Sequence, residues 1–173
     1  DKMPEDIQLA IPYIKNLLKA LKMPIVSLEG YEADDLMGTL AVKAEELGFI
    51  TYLMTPDKDF AQLVNSNTFI YKPGRSGNPF QILGTKEVCE KFEIENPKQV
   101  IDILGLWGDA VDNIPGIPGI GEKTAKKLIA QYGSVEGLLK NTHELKGKQK
   151  ENVENFAEQG LLSKKLATII LDS

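Results

Sequence analysis

The stretch from Trp107 to Gly121 carries Gly108, Pro115, Gly116, Pro118, Gly119 and Gly121, so no regular helix or strand can run through it. It divides the chain into two parts with different patterning. Ahead of it, short β-prone runs alternate with amphipathic stretches. Ile7, Ala10, Ile11, Ile14, Leu17, Leu18 and Leu21 recur at helical spacing behind Pro4, Glu5 and Asp6, predicting a helix that Pro24 stops. Ile25 to Leu28 reads as a short buried strand. Leu36, Leu40, Ala44 and Leu47 then line a second helix ended by Gly48, and Phe49 to Met54 is a second strand. Thr55-Pro56-Asp57 turns into a helical segment from Phe60 to Val64. Thr68 to Tyr71 and Gln81 to Leu83 are β-prone and flank a loop from Lys72 to Pro79. Thr85 to Phe92 and Pro97 to Leu106 are helical. Behind the Gly/Pro stretch only helices are expected: Glu122 to Gln131, Ser134 to Leu139, Lys148 to Glu158 and Leu161 to Ile169. Strand–helix alternation predicts an α/β parallel sheet, followed by an all-helical part.

Charge follows the same division. The 173 residues are 42% hydrophobic and 26% charged, with a net charge of −5. Taken alone, that sum speaks against a nucleic-acid partner, because such domains are usually basic. The sum hides an asymmetry, however. Residues 1–113 carry 11 basic and 18 acidic side chains, whereas residues 114–150 carry 7 basic and 3 acidic. No apolar run approaches the ~20 residues of a membrane span. A lone cysteine, Cys89, cannot close an internal disulfide, which fits a reducing compartment such as the cytoplasm.

Seven of the acids fall in three clusters. Glu32, Asp34 and Asp35 follow the run at Ile25 to Leu28. Asp57 and Asp59 follow the run at Phe49 to Met54. Asp109 and Asp112 lie just beyond the helix ending at Leu106. Ligands of open α/β sheets bind beyond the carboxyl ends of strands, where the first two clusters would sit. Oxygen-only donors at this density suit hard cations such as Mg²⁺ or Mn²⁺. Singly, each acid has a plainer reading: Asp34 or Asp57 as a helix cap, Asp109 or Asp112 as a solvated loop acid.

The glycine-rich stretch fails as a P-loop, since Glu122 separates Gly121 from Lys123. It fits the hairpin of a helix-hairpin-helix: Gly119, Gly121 and Ala125, with apolar Ile117, Ile120, Leu128 and Ile129 around them. Such glycines let backbone N–H groups approach a phosphate at a helix N-terminus, with Lys123, Thr124, Lys126 and Lys127 beside it. A plain tight turn between packed helices is the alternative. His143, Cys89, the Lys146/Lys148/Lys150 run and Arg75 carry weaker signals; Arg75 is a minor candidate for a nucleic-acid contact.

Four strings occur in order: Gly30-Tyr31-Glu32-Ala33-Asp34-Asp35, Thr55-Pro56-Asp57-Lys58-Asp59-Phe60, Gly108-Asp109-Ala110-Val111-Asp112-Asn113-Ile114-Pro115-Gly116 and Gly119-Ile120-Gly121-Glu122-Lys123-Thr124-Ala125. Together they resemble the 5′-nuclease domains of bacterial DNA polymerases I, relatives of the flap endonucleases, over essentially the whole chain. The resemblance implies a parallel-sheet, PIN-like α/β core over residues 1–106. A helix-hairpin-helix (H3TH) subdomain would follow over residues 107–173. It implies structure-specific hydrolysis of DNA 5′ ends and flaps by two Mg²⁺ or Mn²⁺ ions, in primer removal and repair. Glu32, Asp34 and Asp35 would serve one metal, and Asp57, Asp59, Asp109 and Asp112 the other. Gly119, Gly121, Lys123, Thr124, Lys126 and Lys127 would grip DNA, with K⁺ at the hairpin. A polymerase domain in cis, a monomer and a nucleoid-associated cytoplasmic location follow from the same likeness. Family members also open with a strand bearing an Asp, carry a second Asp after a later strand, and place basic residues on a helical arch. None of these is in this sequence, so the expectation is a truncated core with little nuclease activity alone. A non-catalytic DNA-binding module and an RNA nuclease are the competing readings.

Overall fold

A computed structural model describes residues 3–74 and 79–173. The expected loop from Lys72 to Pro79, and Arg75 within it, therefore fall partly outside the described residues. Helix α1 (Glu5–Ala20) opens with two acids at its positive end, as the sequence predicts. It buries no residue: Ile7, Leu9, Ile14 and Leu17 are all at least half exposed. Helix α2 (Ala33–Glu46) turns Gly38, Thr39 and Ala41 inward, and leaves Leu40 and Leu47 in solvent. The expected apolar stripe of α2 is thus corrected: the small residues face the packed side, because the C-terminal segment closes over them.

Strand β1 (Thr51–Met54) pairs in parallel with β2 (Thr68–Lys72), which pairs antiparallel with β3 (Gln81–Leu83). The sheet is therefore mixed, with order β1-β2-β3. A 3₁₀ turn (Asp59–Leu63) bridges β1 and β2 and buries Phe60, Ala61 and Gln62. The run from Ile25 to Leu28, expected as a buried strand, forms no ladder with any described residue. Ile25, Val26 and Leu28 are 40–57% exposed. Its β propensity is unopposed locally, but a strand needs a neighbour to satisfy its backbone.

The core sits behind the sheet, on the helices. Helix α4 (Val100–Trp107) follows a 3₁₀ turn capped by Asn96. It buries Val100, Ile103, Leu104 and Leu106 completely. The turn also contacts α3 (Thr85–Phe92), and α4 packs on α5 (Glu122–Tyr132), α6 (Val135–Lys140) and α8 (Ala157–Leu166). Helix α7 (Gly147–Asn155) completes the back half through Val153. One ionic network crosses this core. Buried Asp102 accepts from the Val135 N–H at 2.9 Å and pairs with Lys164 at 2.7 Å, and Lys164 also reaches Glu136 at 2.7 Å. It ties α4, α6 and α8 with a charge that is paired and hydrogen-bonded, the condition under which burial is tolerated.

The C-terminal segment returns to the front of the molecule. Gln62 donates to the Ala167 carbonyl and accepts from the Ile169 N–H, and Asp35 accepts from the Ile170 N–H at 2.8 Å. These bonds fix the start of α2 against the 3₁₀ turn, and so bring the first two acidic strings to one side of the molecule. Among the described residues no helix is long and apolar enough to cross a membrane.

Candidate functional site

Each acidic string is shaped first by its own backbone. Asp35 accepts from the Glu32 N–H at 3.2 Å, a helix-start arrangement, and Asp34 accepts from the Asp35 N–H. Thr55 accepts from the Asp57 N–H, and Asp57 from the Asp59 N–H at 3.0 Å, which turns the chain just past β1. Asp109 caps its own loop by accepting from the Val111 N–H at 2.9 Å.

That third loop is pinned on both sides. Asp109 and Ile114 exchange N–H···O bonds of 2.8 Å across an isolated bridge. Gly116 donates to Ser163 and accepts from Gln159, both on α8. Gly108 and Gly116 face each other with positive φ and no room for a side chain between them. The loop is thereby held as a rigid platform at the end of α4, facing the 3₁₀ turn.

Packing then joins the strings. Ligand oxygens of Asp59, Asp109 and Asp112 lie within 4.8 Å of one another. Asp57 and Asp34 are close enough to act electrostatically on this group, whereas Glu32 is exposed at the head of α2. Of the seven acids, three converge tightly. Asp34 and Asp57 border them, and Glu32 and Asp35 are engaged in the helix start. An open cavity of about 630 Å³ beside the cluster is lined by Lys58, Trp107, Asp109 and Asn113, among others.

Lys58 is the residue that sequence reasoning passed over. Its ammonium hydrogen-bonds the Asp109 carboxylate, lies 3.9 Å from Asp59 and sits 5.5 Å above the Trp107 ring. Its only sequence signal was its place between two acids of one string. The charges respond as expected. Burial, then Asp57, push Asp59 up to about 6, against relief from Lys58. Burial followed by Asp109 and Asp57 also raises Asp112. Burial of Asp109 works the same way, but the Lys58 ammonium and the Val111 and Asp112 N–H groups outweigh it and hold Asp109 below its ordinary value.

These residues fit a divalent cation. Among the described residues, Asp59 Oδ1 is a buried side-chain oxygen with no hydrogen-bond partner, on a residue that belongs to an all-carboxylate set. Such a group costs free energy until a cation or proton meets it. Lys58 meets part of that need. Lys58→Met should therefore lower the melting temperature of the metal-free chain and enlarge the rise that Mn²⁺ produces, both readable by calorimetry. An unchanged Mn²⁺ increment would contradict the role given to Lys58.

The glycine hairpin leads into α5. Gly121 caps that helix with open space where a side chain would be, and Gly119 has φ +80°. Among the described residues, the N–H groups of Gly121, Glu122 and Lys123 meet no acceptor, while Thr124 and Ala125 donate back to Gly121. Asn152 on α7 braces the hairpin through the Pro118 carbonyl at 2.7 Å. Lys123 and Lys127 are exposed beside it. Lys126 is not: it is paired with Glu122 at 2.9 Å and donates to the Lys91 carbonyl at 2.9 Å. Lys126 shares the helix flank with Lys123 but leans toward α3, so its ammonium is engaged within the fold.

An all-carboxylate cluster at the edge of an α/β core is thus joined by a pinned loop to a glycine hairpin that leads into a helix. The chain belongs to the 5′-3′ exonuclease family: its N-terminal resolvase-like domain matches residues 1–93, and its C-terminal SAM fold residues 95–173. DNA polymerase I of Bacillus subtilis is 43% identical over 173 residues, covering 99% of this chain and 20% of that protein. A 5′-3′ exonuclease of Aquifex aeolicus is 42% identical over 140 residues, covering 81% of this chain and 47% of that protein. The chain thus spans a fifth of the polymerase relative and just under half of the exonuclease. The T5 5′-exonuclease with bound zinc superposes with a TM-score of 0.79 at 23% identity, covering 98% of this chain and 64% of that one. The catalytic core of Rad2 in complex with DNA superposes at 0.61 and 17%, covering 97% and 57%. Both likenesses concern the fold.

Proposed function

We propose that this chain supplies the metal-binding and DNA-gripping surfaces of a 5′–3′ exonuclease and 5′-flap endonuclease of the kind carried by DNA polymerase I. The observation that carries the reading is the convergence of Asp59, Asp109 and Asp112, with a buried Asp59 oxygen left without a partner. A non-catalytic DNA-binding module has no use for such a group. Hard carboxylate donors favour Mg²⁺ or Mn²⁺. Asp57, Asp59, Asp109 and Asp112 would hold one ion, and Asp34, with Glu32 and Asp35, contributes to a second. When bound, the ions lower the pKa of water and stabilise charge on the phosphate and the leaving oxygen.

The chain's own residues supply the rest. The carboxylates hold ions rather than shuttle protons, and Lys58 balances the charge of Asp109. The free N–H groups at Gly121 to Lys123, the α5 dipole, Thr124 and the exposed Lys123 and Lys127 hold backbone phosphates without reading sequence. The hairpin at Gly119 and Gly121 is also the proposed K⁺ site. The working division falls between residues 1–106, the nuclease core, and 107–173, the helix-hairpin-helix. The setting proposed is a monomeric bacterial cytoplasmic enzyme on the nucleoid, with a polymerase domain in cis.

Two substitutions separate chemistry from grip. In a complete domain that also carries the opening strand and the arch, Asp112→Asn should abolish cutting of a 5′-flap DNA in Mg²⁺ while leaving flap affinity nearly unchanged. Lys123→Ala should weaken binding of all DNA sequences alike and reduce the salt slope by about 1. Undiminished cutting by Asp112→Asn would overturn the reading.

A further inference from the structure

We propose that Lys72 and Lys91, backed by Lys126, form a phosphate-binding lysine cluster beside the acid cluster, which takes a backbone phosphate of a nucleic-acid strand. This rests on the DNA reading above and extends it to Lys72 and Lys91, which no sequence string singles out. A crevice of about 10 Å³, room for one water and not for a phosphate, lies between the end of β1, strand β2 and helix α3, so an anion would rest on the lysines at its rim. Ile70, Val88 and Phe92 are part of its apolar wall, and Lys58, Lys72 and Lys91 are its cations.

Three separate elements deliver lysines to this place. Lys72 ends β2, Lys91 lies on α3 and Lys126 comes from α5. The Lys91 and Lys126 ammonium groups lie 5.1 and 5.7 Å from the same Phe92 ring, whose negative face tolerates them. Lys126 donates to the Lys91 carbonyl, which locks the two elements in register. Folding has gathered like charges, against Coulomb repulsion. The acids offset part of it, since Lys58 is bonded to Asp109 and Asp57 lines the same crevice. Glu122 pairs with Lys126, but among the described residues neither Lys72 nor Lys91 forms an ion pair with a carboxylate. The Lys91 ammonium is held below its ordinary value, first by burial and then by Lys72 and Lys126.

A partly buried lysine cluster with excess positive charge is relieved by an anion. Its location selects which anion. Asp57 and Lys58 line the same crevice, which places it beside the acid cluster, and Lys126 reaches Lys91 from the hairpin helix α5. A strand held by the hairpin and reaching the acids would pass over these lysines. Ammonium groups on an apolar wall offer point charges and no planar fork, which suits a phosphate and reads no base edge.

The test is fluorescence anisotropy of a labelled nicked duplex with a 5′ flap, over a salt series in Ca²⁺, on the unaltered chain and on Lys91→Gln, Lys72→Gln and Lys123→Ala. Lys91→Gln and Lys72→Gln should each weaken binding several-fold and lower the salt slope by about 1. Lys91→Gln should also raise the melting temperature of the free chain, since it removes repulsion; a lysine with only a structural role would lower it. Unchanged affinity and slope in both glutamine variants, with Lys123→Ala still weakened, overturns the lysine cluster as a phosphate site and leaves the DNA reading standing. No DNA binding by the unaltered chain overturns both.

Discussion

Replacing Asp59 by Asn raises the melting temperature of the metal-free chain at pH 8 and removes most of the further rise that Mg²⁺ or Mn²⁺ gives. Asp59 is half-buried beside Asp57, Asp109 and Asp112, its Oδ1 has no hydrogen-bond partner, and its pKa is pushed up to about 6 from an ordinary 3.8. The folded chain therefore keeps a proton that the unfolded chain has already released. This group's contribution to stability is fully present below pH 3.8 and is lost as pH rises through about 6. In metal-free buffer, stability relative to Asp59→Asn should thus climb as pH is lowered from 7 to 5. Asn removes the repulsion at high pH and breaks no side-chain hydrogen bond. It also removes a ligand, so affinity for Mn²⁺ should fall by at least the roughly 10- to 100-fold that losing an outer partner of a metal site costs. Calorimetry across pH, with and without Mn²⁺, reads both effects. A metal-free chain destabilised by Asp59→Asn at pH 8 would contradict the site.

The largest loss of stability is expected from Gly116→Ala. Gly116 holds φ at +62°, and an added Cβ would lie 2.5 Å from the Gly108 nitrogen and 2.6 Å from the Trp107 carbonyl carbon. Both contacts are backbone, so neither can swing aside. Left-handed strain of about 1–2 kcal/mol and overpacking of about 1–3 kcal/mol act together. The comparison is Gly133→Ala, where φ is +78° and nothing lies within 4 Å of the added Cβ. That variant meets only the strain. Thermal melts should show Gly116→Ala falling well below Gly133→Ala. Its Mn²⁺ response should shrink too, because the Gly108–Gly116 contact holds the Asp109–Asp112 loop in place. Equal melts for the two variants would show that the loop relaxes freely.

Much of this was legible from the chain. The acids just past β1, the Gly/Pro stretch after α4 and the glycines ahead of α5 are local features, and local chemistry fixes turns, caps and helix ends. Ile25 to Leu28 and the stripe through Leu40 and Leu47 misled for one reason. Periodicity states which side of an element is apolar, but not whether another element covers it.

The sequence by itself determined the inventory: seven acids in three strings, a glycine hairpin ahead of a lysine-bearing helix, and a front rich in acid before a basic back. Only the tertiary structure decided how they combine. It chose Asp59, Asp109 and Asp112 as the tight set, set Lys58 against Asp109 across 51 residues of chain, and turned Lys126 from the hairpin to Lys91. The reason is physical. Caps and turns are settled between residues a few positions apart, whereas the meeting of two distant side chains is fixed by how α4 and its neighbours bury their apolar faces. That burial is non-directional, and no short stretch of sequence encodes its partner.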